Sequence, residues 1–178
     1  MGDSLSAAYN MPLQKGWVYL LSQKPEMKDI KVVNGSISGE TSSGGKQRLT
    51  KLLETHQPKW MILELGINDA FRGQNLKSTQ KNLQHMIDAC LERACKVLLL
   101  GNKLPTNYGP AYDAVFRKMY RQLASNNPVL FDPFFLTEIV VDAKLLQRDG
   151  LHPTAPAQPM VVERLWPNIQ KLMENSEE

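Results

Sequence analysis

His152 follows Asp149 by three residues across Gly150, and Pro153 fixes the backbone beyond it. At that spacing the carboxylate can fold back onto the imidazole Nδ1–H and leave Nε2 free. An imidazole held this way is a general base in need of a nucleophile. Ser4, in Gly2-Asp3-Ser4-Leu5-Ser6, is the candidate: a serine in a tight turn can gather backbone N–H groups that stabilise a developing oxyanion. Gly39 and Asn68 are candidate partners in that task. Glycine lets backbone approach a ligand closely, and the asparagine amide offers N–H donors. Each residue also has a plainer reading. Asp149-Gly150 is a common turn dipeptide, and an isolated serine often caps a helix. The pattern Gly35-Ser36-Ile37-Ser38-Gly39 looks like a nucleophile elbow, but Ile37 occupies the nucleophile position.

Short apolar runs alternate with longer amphipathic stretches around these residues. Strands are expected at 30–33, 60–65, 97–100 and 129–131, because near-continuous apolar runs suit a parallel sheet buried on both faces. Helical patterns fall at 13–22, 41–55, 78–94, 112–124 and 158–173, with Thr41 or Ser42 as N-cap of the second. This alternation predicts a three-layer α/β fold with a mostly parallel sheet, formed by one domain over 1–178. Ligands of such sheets bind beyond the carboxyl ends of the strands. Polar clusters at 2–4, 36–41, 66–69, 102–108 and 149–153 are expected to converge there. The acidic end, 174–178, is expected to fray.

The bulk properties narrow the function classes. The 21 basic and 18 acidic residues nearly balance, and the basic ones are scattered. A nucleic-acid binder needs a basic face, so no nucleic-acid partner is expected. No stretch approaches the roughly 20 apolar residues of a membrane span, and stable insertion is not expected. Cys90 and Cys95 fit neither a zinc knuckle nor a CxxC pair and read as small buried hydrophobes. His56 and His85 have no partners at metal-ligand spacing, so no metal site is expected. Asn34-Gly35-Ser36 fits a glycosylation sequon but reads as structural at a strand end.

Together, Gly2-Asp3-Ser4-Leu5-Ser6, Gly39 within 36–41, Gly66-Ile67-Asn68-Asp69 and Asp149-Gly150-Leu151-His152-Pro153 resemble the four blocks of the GDSL, or SGNH, hydrolases. The stretches 32–39, 63–66 and 104–109 look like the bacterial thioesterase I / protease I / lysophospholipase L1 subgroup. The resemblance implies a flavodoxin-like α/β/α fold and a metal- and cofactor-free serine esterase or thioesterase acting on small-molecule acyl substrates. Ser4 would be the nucleophile, His152 the base and Asp149 its orienter. The Ser4 and Gly39 N–H groups and the Asn68 amide would form the oxyanion hole. Loops 70–75 and 104–108 would shape the acyl pocket, through Ala70, Phe71, Arg72, Leu104, Pro105 and Tyr108. Ile67 and Ala8 stand where glycine is common in the subgroup.

The resemblance further implies a periplasmic or secreted protein, although residues 1–20 lack the layout of a signal peptide, and a cytoplasmic location is expected if the given start is the true one. It also implies an apolar strand leading into the Gly-Asp-Ser turn, of which Met1 would be the end, so the first strand is expected to be truncated. Two alternatives remain open: a carbohydrate or acetyl esterase of the same superfamily, and a non-catalytic ligand-binding domain.

Overall fold

The computed structural model describes residues 1–174. Three parallel strands form its sheet in the order β1 (Trp60–Leu63), β2 (Lys96–Leu100), β3 (Leu130–Asp132). All three coincide with expected runs. Alternate residues of β2 feed opposite layers, as the pleat requires. Val97 and Leu99 join a core with Leu49 and Leu53 of α2 (Ser42–His56), Leu83 and Met86 of α4 (Leu76–Leu91) and Phe116 and Tyr120 of α5 (Pro110–Asn126). Leu98 and Leu100 join a second core with Trp17 and Leu21 of α1 (Trp17–Ser22) and Val161 and Leu165 of α6 (Gln158–Glu174). The fold is therefore the expected α/β/α arrangement.

On the other edge of β1 the chain start continues the ladder. The Met1 amino group donates to Ile62 O (3.0 Å), Glu64 N–H donates to Met1 O (2.9 Å), and Gly2 bridges Glu64 in parallel. This pairing seats the Gly-Asp-Ser turn at the carboxyl end of the sheet.

Several expectations need correction. Residues 30–33 join no strand; Ile30 and Val32 pack on the second core while Lys31 and Val33 face solvent. A cavity of about 240 Å³, lined by Trp17, Leu21, Ile30, Val32, Trp60 and Ile62 among others, touches this segment, and neither Ser4 nor His152 lines it. The helix expected over 13–22 is split into a 3-10 turn (Leu13–Lys15) and α1, because Gly16 takes an extended conformation between them. α4 starts earlier than 78, with Asn75 accepting from Lys77 N–H, and stops before Ala94, whose φ is +54°. Cys90 and Cys95 are buried as expected, but they are joined in a disulfide. Of the acidic end, 175–178 lies outside the described residues. Among the described residues no helix is long and apolar enough to cross a membrane.

The turn after β1 depends on Gly66, at φ +120° and ψ −17°. A Cβ there would stand 2.6 Å from the hydroxyl of Tyr120, which itself donates to Leu65 O (2.7 Å). Both the backbone angle and the space demand glycine. Gly66→Ala is expected to cost about 2–4 kcal/mol from strain and overpacking. In a thermal melt this reads as a midpoint lower by about 5–15 °C.

Candidate active site

The turn carrying Ser4 is built by its own backbone and by Asp3. Ser6 and Ala7 N–H donate to Asp3 O, and Leu5 N–H donates to Asp3 Oδ1 (3.0 Å). A second segment clamps it: Ile37 N–H donates to Gly2 O, and Asn34 Nδ2 donates to Ser6 O (2.8 Å). Asn34 is thus occupied in holding the turn, in keeping with its structural reading.

His152 and Asp149 approach from the loop before α6. Asp149 Oδ1 accepts from Leu151 and His152 N–H, which closes the tight turn expected around Gly150. Asp149 Oδ2 lies 2.7 Å from His152 Nδ1. A carboxylate accepts only, so Nδ1 carries the proton and Nε2 has a free lone pair. That lone pair faces Ser4 Oγ at 2.8 Å. Burial opposes the charge on Asp149, but the N–H groups of Leu151 and His152 and the His152 ring outweigh it and hold the carboxyl below its ordinary value.

Asn68 is the second residue of α3 (Ile67–Phe71), which follows β1 through Gly66. Its Nδ2 donates to Asp3 Oδ2 and to Glu40 O, both at 3.0 Å. Gly39, at φ +77°, is pinned by Arg72, whose guanidinium donates to Gly39 O (2.9 Å). Among the described residues the backbone N–H groups of Ser4 and Gly39 donate to no protein acceptor. Asp69, one residue beyond Asn68, is buried and accepts from Ser42 N–H and the Ser42 and Thr79 hydroxyls. It therefore ties α2 and α4 to the floor of the site.

The residues expected at the acyl pocket divide. Phe71 stacks on Tyr108, ring centroids 5.3 Å apart, which joins the two loops. Phe71 and Pro105 are half-buried, and Arg72 and Tyr108 are exposed. Ala70 and Leu104 instead sit inside the first core, and Leu104 N–H is anchored on Asp113 Oδ1 (2.9 Å). They support the loops from within.

Sequence reasoning missed three residues. Tyr9 lies against His152, centroids 4.2 Å apart, and Gln147 donates to Tyr9 O and to Pro153 O. Nothing in the sequence marks either one. Glu64 is the third: its carboxyl is buried under the Ser4 turn. A lone acid inside the apolar run 60–65 was the available signal, since a buried charge needs a reason. Ala8, where glycine was the expected type, is at φ +57°.

A free serine hydroxyl on an oriented imidazole, with unclaimed N–H donors nearby, is the equipment of acyl transfer. The sequence profile of the GDSL-like lipase/acylhydrolase family matches residues 1–158. The chain belongs to this family. It is a serine hydrolase of the esterase/thioesterase class. Esterase TesA of Pseudomonas aeruginosa is 41% identical over 175 residues, covering 97% of this chain and 87% of that protein. Thioesterase 1/protease 1/lysophospholipase L1 of Escherichia coli K12 is 39% identical, covering 97% and 83%. The crystal structure of the psychrotrophic esterase EstA from Pseudoalteromonas sp., inhibited by monoethylphosphonate, superposes with a TM-score of 0.91 at 35% identity, covering 98% and 96% of the two chains. In this GDSL chain all four sequence blocks meet beyond the carboxyl end of the sheet.

The lowered Asp149 carboxyl has a thermodynamic consequence. Its contribution to stability is present above the unfolded carboxylate value and is lost as pH falls through the lower folded value. Asp149→Asn should therefore melt below the wild type near neutral pH, with the gap closing as the pH falls through and below the ordinary carboxylate range. A gap that stays constant across an acid titration of the two melts would contradict this assignment.

Proposed function

We infer that Ser4, His152 and Asp149 hydrolyse carboxylic esters and acyl thioesters through an acyl-enzyme on Ser4. The observation that carries this reading is the unbroken pair of contacts from Asp149 Oδ2 to His152 Nδ1 and from His152 Nε2 to Ser4 Oγ. Ser4 Oγ attacks the acyl carbon while its proton passes to His152 Nε2, and Asp149 stabilises the imidazolium that forms. The carbonyl oxygen becomes an oxyanion facing the Ser4 and Gly39 N–H groups and the Asn68 amide. On collapse the C–O or C–S bond breaks, and His152 returns the proton to the departing alcohol or thiol. Water then enters by the same base and releases the carboxylic acid. Phe71, Arg72, Pro105 and Tyr108 flank the acyl group, and Ala70 and Leu104 hold their loops.

An acyl substrate is supported by the names of the relatives, which include an esterase and a thioesterase/lysophospholipase. A non-catalytic binding role would leave the Ser4–His152–Asp149 contacts without a purpose. The Cys90–Cys95 disulfide supports a periplasmic or secreted location, since such bonds persist in oxidising compartments. Alkylation of the protein in cells of its source, followed by mass measurement, should find both thiols blocked. Free, alkylated Cys90 and Cys95 would argue for a reducing compartment.

Ser4→Ala should lower turnover of an aryl ester by about 10⁴- to 10⁶-fold and abolish labelling by a fluorophosphonate. Asn68→Ala should lower turnover by about 10²- to 10³-fold with little change in KM, because the amide acts on charge present only in the transition state. Near-normal activity of Ser4→Ala would overturn the assignment.

A further inference from the structure

Glu64 follows the last residue of β1 and is 2% exposed, beneath the turn that carries Ser4. Its Oε2 accepts from Asp3 N–H (3.2 Å) and from the Ser6 hydroxyl (2.9 Å). A Cβ on Gly2 would stand 2.8 Å from the same oxygen, so the turn rests directly on this carboxyl. Asp3, fully buried, is tied to Glu64 through its own backbone N–H. Two carboxyls held near each other out of water repel when both are charged.

The Asp3 side chain carries the link onward. Asp3 Oδ1 accepts from Leu5 N–H and Oδ2 accepts from Asn68 Nδ2. Each carboxyl thus gathers two donors, and the two together connect the end of β1, the Ser4 turn and Asn68. Burial raises the pKa of both groups.

We propose that Glu64 is a positioning residue, a buried acceptor that holds Asp3 N–H and the Ser6 hydroxyl and thereby fixes the Ser4 turn and, through Asp3, the Asn68 amide. The proposal rests on the reading of Ser4 and Asn68 given above. An apolar side chain of equal size would fill the same space without the cost of burying a carboxyl. It would leave Asp3 N–H and the Ser6 hydroxyl without an acceptor. The turn and the amide would then be free to shift, and a misplacement of about 1 Å costs roughly 10²-fold in rate.

Three variants separate the possibilities, each assayed with an aryl ester well below its melting midpoint. Glu64→Gln keeps the reach and an acceptor oxygen. Glu64→Met keeps the reach without hydrogen bonds, and Glu64→Asp keeps a carboxyl that stops one methylene short. The expected result is a kcat lower by about 10- to 100-fold for Met and Asp with KM within about twofold, and recovery by Gln to within about threefold of wild type. Wild-type kcat in a folded Met or Asp variant would overturn the proposal. So would a Gln variant as slow as Met, since an acceptor oxygen at the same reach would then not suffice to hold the turn. If neither Met nor Asp folds by circular dichroism, Glu64 is purely structural and the proposal fails. Wild type and Ser4→Ala measured alongside keep the two readings apart, because activity lost with Ser4 but untouched at Glu64 rejects only the positioning role.

Discussion

The contact between Ser4 Oγ and His152 Nε2 joins residues 148 positions apart, and almost every feature of the site exists to keep it at 2.8 Å. On the serine side, backbone pairing with β1 fixes Met1 and Gly2, and the bonds from Asn34 and Ile37 press the turn down from above. On the histidine side, Gln147 N–H donates to His152 O (2.7 Å) and Leu146 bridges Pro153. The two sides are stitched together by Gln147 donating to Tyr9 O and by the Tyr9 ring lying on the imidazole. A single hydrogen bond between half-buried side chains would contribute little by itself. Here its geometry is set by backbone anchors at both ends, so neither partner has much freedom left to lose.

The polar interior is concentrated at one end of the sheet. Glu64 follows β1, Asn102 lies just beyond β2 and Asp132 ends β3, and all three are buried. Asp3 and Asp69 add two more buried acids in the same region. Burying such groups opposes folding unless hydrogen bonds compensate. The compensation is visible in the donors gathered by Asp3, Glu64 and Asp69, and it comes from helix N-termini and turns. The two apolar cores on the faces of the sheet supply the stability that carries this polar edge.

Much of this was legible in the sequence. Strands β1, β2 and β3 read directly because each is an apolar run bounded by turn residues, and the Asp149–His152 contact follows from a three-residue spacing across glycine. The segment 30–33 misled because Ile30, Val32 and Val33 have the composition of a strand, while pairing depends on a neighbour that composition cannot supply. Ala70 and Leu104 sit in loops by sequence, and only the packing of α3, α4 and α5 turns them inward. The disulfide was missed since a five-residue separation resembles no framework or redox motif. Tyr9 reaches His152 only through the fold of an irregular turn, so no periodicity could reveal it.

Asn68 has two amide hydrogens, and both are already engaged, one by Asp3 and one by the Glu40 carbonyl. An acyl oxygen entering this site therefore meets a competitor. A neutral carbonyl is about as good an acceptor as the Glu40 oxygen and has little power to displace it. A full negative charge does, because charge-assisted bonds are roughly twice as strong. In the proposed reaction the amide would thus behave as a threshold detector, silent toward the resting ester and recruited only once the oxygen has taken up charge. Preference for the transition state would then come from what the donor is doing before the substrate arrives.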